Sequence, residues 1–324
     1  MTATHERPEN PTVAPGDDHW RALALELADT VTTVLGSRPG QRITHHKGIV
    51  LGGTFTATAR ARELSRAAHL QGAPVRVTVR FSNGFPSTDG RDSTEGDPRG
   101  MAVKFHLADG VTTDLVCQDW PVFPAGTPEK FRDLLRAQHA GVEATEAYLA
   151  EHPDVAEAGA VVATVGAPPR SWATVAFNSM NAFRLVDAAG AGRFVRFRLV
   201  PEAGEHSLPA AMRPTADRDY LMAAVPDLLP FRYLLRAQLA ADDDQTTDPS
   251  RAWPADREWV DLGTIELTDV DDSLERDGAV LVHDPMRLID GIEPSDDPIL
   301  RVRPHVYAES VRRRTGGGCP VRAG

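Results

Sequence analysis

The sequence predicts an α+β fold built on a curved antiparallel sheet or barrel, and three observations predict it. Residues 75–81 alternate apolar Val75, Val77, Val79 and Phe81 with Arg76, Thr78 and Arg80, the period of a half-buried strand. Similar runs recur along the chain and are separated by short turn signals, as in hairpins. Runs with helical spacing interrupt them, so strands and helices are mixed within one architecture.

Taken in order, residues 1–18 offer almost nothing to bury and read as a disordered arm. Apolar positions at helical spacing over 20–34, closed by Gly36, predict an amphipathic helix. Strands follow at 75–81, 101–107 and 112–117, bounded by turn signals at 86–90, 96–100 and Asp109-Gly110. Thr127-Pro128-Glu129 supplies a cap and a first-turn proline for a helix that runs to His139, and a second helix covers about 143–151. Strand patterns return at 182–186 and 194–200, split by a turn at 187–192, and again at 231–239 and 259–267. The acidic, proline-bearing stretch 241–254 reads as a loop. With neither an internal repeat nor a domain linker in view, 19–316 reads as a single domain and 317–324 as a flexible tail.

Composition narrows the function. A chain of 324 residues, 41% of them hydrophobic, can bury a substantial core. A formal charge of -11 argues against binding duplex nucleic acid, whose affinity comes from cations on phosphates, and favours a small or neutral ligand. Cys117 and Cys319 are too few and too far apart for a disulfide framework or a thiolate metal site. No run is long enough to span a bilayer, and the polar start lacks the basic and apolar regions of a signal peptide. The cytoplasm is the expected location.

The chemistry-bearing residues lie at the two ends of the chain. Arg303 precedes Tyr307 by four residues, and Arg312, Arg313 and Arg314 follow. On a helix that spacing puts guanidinium and phenol in contact. Tyrosine ionises near about pH 10 in water, so an anionic tyrosine, a hard ligand suited to ferric iron, needs permanent positive charge beside it. The alternative is a plain arginine-rich helix end, stabilised by its dipole. At the front, Arg42-Ile43-Thr44-His45-His46-Lys47-Gly48 places a histidine pair ahead of Gly52-Gly53-Thr54-Phe55. Such histidines serve equally as structural hydrogen-bonding residues. Arg80-Phe81-Ser82 ends a strand and Asp97-Pro98-Arg99-Gly100 opens the next, which strand and turn chemistry alone would also explain.

Taken in this order, these segments resemble the core of the haem catalases. The likeness continues through Met101-Ala102-Val103-Lys104-Phe105, Asp114-Leu115-Val116, Pro121-Val122-Phe123, Phe183-Arg184-Leu185-Val186, Trp253-Pro254, Gly263 and Gly291-Ile292-Glu293-Pro294-Ser295. It is nearest to the short catalase-related haem peroxidases, because the chain stops soon after the tyrosine segment. The resemblance implies an antiparallel eight-stranded β-barrel with surrounding helices, and haem b as cofactor. It also implies Tyr307 as iron ligand, with Arg303 keeping it ionised. His45, the histidine matching His-x-Lys-Gly, becomes the distal base, with His46 in a variable place and Ser82 steadying the ring. Arg42, Arg80 and Arg314 match residues that bind haem propionates, and Phe123 is expected near the distal face.

One departure stands out. Where the family has a catalytic asparagine before Pro-Val-Phe, this chain has Gln118-Asp119-Trp120. Asp119 takes the place by spacing, and Gln118 is the nearby amide. An amide can donate to peroxide whereas a carboxylate can only accept. The expected activity is therefore a peroxidase using hydrogen peroxide or organic hydroperoxides with an external reducing donor and some residual catalase activity, in a homo-oligomer or a monomer. A hydroperoxide-rearranging enzyme of the allene oxide synthase type and a non-catalytic haem-binding protein are the alternatives.

Overall fold

Alternate residues of the first four strands contribute to one core, which sets the architecture. In β1 (Gly48–Ala57), β2 (Val75–Asn83), β3 (Arg99–His106) and β4 (Thr112–Gln118), the odd-numbered Leu51, Phe55, Val77, Val79, Phe81, Met101, Val103, Phe105, Leu115 and Cys117 join one apolar core. The even-numbered neighbours turn to the other face. The computed structural model describes residues 18–36, 40–84, 90–271 and 280–316. The expectations for 1–17, for most of the turn at 86–90 and for the tail 317–324 with Cys319 lie outside the described residues.

Beyond these four come β5 (Phe177–Asn178), β6 (Phe183–Val186), β7 (Gly192–Pro201), β8 (Phe231–Leu239), β9 (Trp259–Val270) and β10 (Ile292–Pro294). Pairing runs β10-β6-β7-β5-β4-β3-β2-β1-β9-β8, and β8 pairs back to β7. The strands β1, β2, β3, β4, β5, β7, β8 and β9 therefore close an antiparallel barrel of eight, with β6 and β10 as a flap on β7. Register shifts at Gly52/Gly53 and Leu235/Arg236 are bulges that bend the strands into closure. Core rings fill the interior: Phe81 stacks on Trp172 at 5.2 Å and touches Phe177, Phe231 and Tyr233.

The helices are α1 (Asp18–Leu35), α2 (Ala59–Leu64), α3 (Pro128–Ala140), α4 (Val142–Glu151), α5 (Pro153–Val162), α6 (Tyr220–Ala223), α7 (Val225–Leu228) and α8 (Pro298–Arg314). Thr127 caps α3 through Lys130 N–H, with Pro128 in its first turn, as the sequence predicts. The strand β1 and helix α5 carry no clear periodic signal, β1 because Gly52-Gly53 interrupts its alternation. Helices α1, α3 and α8 form a layer of their own, joined by Leu23, Leu27, Val302, Phe131 and Val306. Ala28, Val31, Ile43 and Leu135 extend it. No helix of the described residues is long and apolar enough to cross a membrane.

Removing the ring that centres the barrel should be costly: Phe81→Ala is expected to lower stability by about 3–5 kcal/mol, as for other buried aromatic truncations. Urea denaturation of the two proteins measures this.

Candidate active site

Two antiparallel registers align the outer face of β2, β3 and β4 into rows. Ser82 pairs with Gly100 and Gly100 with Gln118, while Arg80 pairs with Ala102 and Ala102 with Val116. All six line a slot of about 770 Å³ of space unfilled by protein atoms, partly open to solvent. The small residues Gly100 and Ala102 keep the sheet side flat. The other wall is α8, which presents Arg303, Val306, Tyr307, Ser310, Val311 and Arg314 to the slot, the spacing of one helical face.

His45 lies just before β1 and adopts φ 55°, a left-handed conformation that is uncommon and strained outside glycine. Its N–H donates to Gly84 O at 3.1 Å. The ring lies against Gly100, where an added Cβ would stand 2.9 Å from Ser82 Oγ and 3.0 Å from the imidazole. Only glycine leaves room for that contact. His45 Nδ1 meets Ser82 Oγ at 2.9 Å, and Gln118 Nε2 meets His45 Nε2 at 3.2 Å. With the amide N–H donating to Nε2, the imidazole proton sits on Nδ1 and goes to Ser82. The reverse amide orientation would place it on Nε2, so Ser82 and Gln118 together determine the tautomer. Burial pushes the His45 pKa down to about 3, and the charges of Arg80, Arg42, Arg303 and His46 add to the shift. The ring is a neutral base at physiological pH.

Adjacent His46 turns away. Its Nδ1 faces Gln41 Oε1 at 3.1 Å, outside the slot lining, and burial followed by Arg80 and Arg42 pushes it down to about 4. Asp119 also leaves the slot: its Oδ1 accepts from Arg99 N–H at 2.9 Å, and burial pushes its carboxyl up to about 7 against that bond and the Arg99 charge. Strand alternation is the cause, because consecutive residues at the end of β4 point to opposite sides. The expectation for Asp119 thus differs from its placement, and the amide beside the base is Gln118. Phe123 packs against Phe131 at 4.7 Å and likewise does not line the slot.

On α8, Arg303 Nε and Nη2 donate to Tyr307 Oη at 3.0 and 2.7 Å. These are charge-assisted bonds aimed at a single oxygen. Arg303 Nη1 donates to Asn181 Oδ1 at 2.8 Å, and Asn181 Nδ2 donates to Asp297 Oδ2 at 2.6 Å. Asp297 also caps α8 by accepting from Ile299 and Leu300 N–H. Burial pushes its carboxyl up to about 6, against the bonds from Asn181, Leu300 and Ile299 and the Arg303 charge. Sequence reasoning missed Asn181 and Asp297, although Asp297-Pro298 carries the signature of a cap followed by a first-turn proline. It also missed His283, which lines the slot and had no periodic or motif signal.

Arg42, Arg80 and Arg314 line the same slot. Arg42 Nη2 donates to Leu281 O at 2.8 Å and Arg80 Nη2 to His46 O at 3.2 Å. An added Cβ on Gly48 would stand 2.7 Å from the Arg80 guanidinium carbon, so Gly48 lets that side chain lie against the backbone. Arg312 and Arg313 do other work: both bind Glu309, and Arg313 reaches Asp29 and Thr32 on α1. A flat apolar group bearing carboxylates and needing one oxygen ligand fits these walls: small residues on the sheet, guanidiniums along the lining, and a phenol oxygen that accepts two hydrogen bonds. Among the described residues, no group of three or more His, Cys, Asp or Glu could hold a bare metal ion.

A family model described as catalase matches residues 24–319. A catalase-related peroxidase of Mycolicibacterium paratuberculosis is 42% identical over 297 residues, covering 90% of this chain and 94% of that one. A catalase-related peroxidase of Synechococcus elongatus is 29% identical, covering 90% and 88%. Among solved structures, a fungal catalase superposes with a TM-score of 0.75 at 19% identity, over 98% of this chain, which spans 66% of that protein. That likeness bears on the fold alone.

Asp297→Ala removes a helix cap and strands the Asn181 amide, so it should destabilise the protein by about 2–4 kcal/mol. Asp297→Asn keeps an acceptor for the cap and is expected to cost less. Denaturant melts of both variants decide.

Proposed function

The chain belongs to the catalase family, and we propose that it is a haem peroxidase in which His45, held by Ser82 and Gln118, moves the proton of a peroxide while an external donor supplies the electrons. It is a haem-dependent oxidoreductase acting on peroxide. The observation that carries the finer reading is the pairing of two polar constellations on one apolar slot: Ser82–His45–Gln118 at the sheet and Arg303–Tyr307 on α8.

When bound, haem b would supply redox-active iron able to take two oxidising equivalents from peroxide, and Tyr307 is the residue that would hold it. Arg303 holds the phenol oxygen in place, and Asn181 and Asp297 hold Arg303. Arg42, Arg80 and Arg314 are the residues to receive the propionates, guanidinium against carboxylate. His45 Nε2 accepts the proton of one peroxide oxygen and returns it to the other, so that water leaves instead of hydroxide. Throughout, Ser82 keeps Nδ1 occupied and so keeps Nε2 the working nitrogen.

Gln118 favours the peroxidase reading. Its amide reaches the basic nitrogen itself, so an entering peroxide must replace that bond before it meets His45. Its Oε1 has no hydrogen-bond partner among the described residues and is placed to accept from the same peroxide. A dismutase has to orient a second peroxide beside the base, and here the nearest amide is already engaged with it. Turnover of hydrogen peroxide by the haem-loaded protein, with and without an aromatic donor, tests the assignment: strong dependence on the donor supports it, and rapid oxygen release without donor overturns it.

The base makes a sharper prediction. In stopped flow with peroxide, His45→Ala should slow the first step by about a hundredfold or more, whereas His46→Ala should leave it nearly unchanged. Because His45 is pushed down to about 3, the rate constant should stay flat as pH falls from about 8 to 5 and drop only as the base protonates below about 4. A midpoint near the ordinary histidine value would contradict the assignment.

A further inference from the structure

Beside Arg42, the segment Leu281–Val282–His283 runs along the slot and contributes Val282 and His283 to its lining. His283 is 7% exposed, and its Nε2 has no hydrogen-bond partner among the described residues. A buried polar nitrogen left without a partner is unfavourable, so its occupancy calls for a ligand. The two neighbouring residues are tied to other parts of the wall: Arg42 donates to Leu281 O at 2.8 Å, and Arg287 Nη1 to Val282 O at 3.2 Å.

We propose that His283 is a carboxylate-binding residue of the slot, donating Nε2–H to a propionate oxygen of the haem beside the guanidiniums of Arg42 and Arg80. The assignment rests on the haem reading of the site and adds a residue to it. The ring cannot serve as a cation there. Burial first, then the charges of Lys104, Arg42, Arg80 and Arg287, push its pKa well below the usual histidine value. A neutral imidazole has one N–H to give, and beside the guanidiniums of Arg42 and Arg80 the partner that suits that N–H is an anionic acceptor. Among the described residues the lining supplies no carboxylate side chain.

The ring is also rigidly placed. Asp284 N–H donates to Asp114 Oδ2 at 2.7 Å, Thr113 Oγ1 to Arg287 O at 2.8 Å, and Asp114 N–H to Arg287 O at 3.2 Å. Asp114 itself is held by Lys104 at 3.0 Å. The segment carrying His283 is therefore fastened to β4, the same strand that carries Gln118, and the ring is preorganised for its ligand. No hydroxyl lies on its ring in the way Ser82 lies on His45, which argues against a second base.

Soret titration of the full chain produced without haem provides the test, with haem and with haem dimethyl ester, whose carboxylates are blocked. His283→Phe should weaken haem binding by about tenfold or more, the weight of one hydrogen bond to a charged group, and change ester binding little. His283→Gln, which can place an amide N–H near the same point, should recover most of the loss. His283→Leu supplies the same contrast if the larger ring disturbs the segment. Equal losses for both porphyrins would mean packing alone, and no loss for either would mean a nitrogen satisfied by water; each result overturns the proposal. A parent chain that gives no Soret band with either porphyrin would remove the haem reading itself, a failure distinct from the other two.

Discussion

Everything in this protein depends on the registration of β2, β3 and β4. One strand alternation places Phe81, Met101 and Cys117 in the barrel core and, one residue away, Ser82, Gly100 and Gln118 on the outer face. A slip of one residue would turn Arg80 and Ser82 into the core and Phe81 into the slot. The core thereby enforces the site: the same aromatic packing that stabilises the barrel fixes the row on which His45 lies. Sites borne on packed strands are held more narrowly than sites on loops. The loop-borne His45 is correspondingly over-determined by its backbone bond to Gly84, its two ring contacts and the absence of a side chain at Gly100.

The facing wall is built differently. α8 contains Pro304, which removes one backbone donor from its interior, so its placement relies on its ends and its apolar back. Asp297 secures the N-terminal end, and Arg313 with Asp29 and Thr32 secures the other. Val302 and Val306 seat it on α1. Arg303 and Tyr307 are left to face the slot on the remaining side. The carboxylate that caps the helix is also the end of the hydrogen-bond chain through Asn181 to Arg303, so helix position and tyrosine environment are mechanically one thing.

Strand order in β2–β4 was legible because their apolar residues alternate without interruption, and α3 was legible from Thr127-Pro128. β1 was not, because its paired glycines erase the alternation just where the bulge bends the strand. At the site, the contact of Arg303 with Tyr307 could be read from spacing, and that of His45 with Ser82 only from the resemblance. The choice between Gln118 and Asp119 could not, since Gln118 ends β4, Asp119 follows it, and only the pleat decides which one faces the slot. His283 and Asn181 were illegible for a plainer reason. Each acts through tertiary neighbours more than a hundred residues away, Arg303 for Asn181 and Arg42 for His283, and no local pattern encodes such a meeting.

The electrostatics of the slot run against those of the molecule. A chain of net charge -11 lines one cleft with Arg42, Arg80, Arg303 and Arg314 and, among the described residues, with no carboxylate. Burial first, with the charges of Arg80 and Arg42 adding to it, keeps His45, His46 and His283 neutral. For a general base this is useful, because the lone pair stays available at every physiological pH. Neutral imidazoles and a guanidinium-lined wall are therefore two consequences of one arrangement, in which burial and neighbouring positive charge act on the same groups.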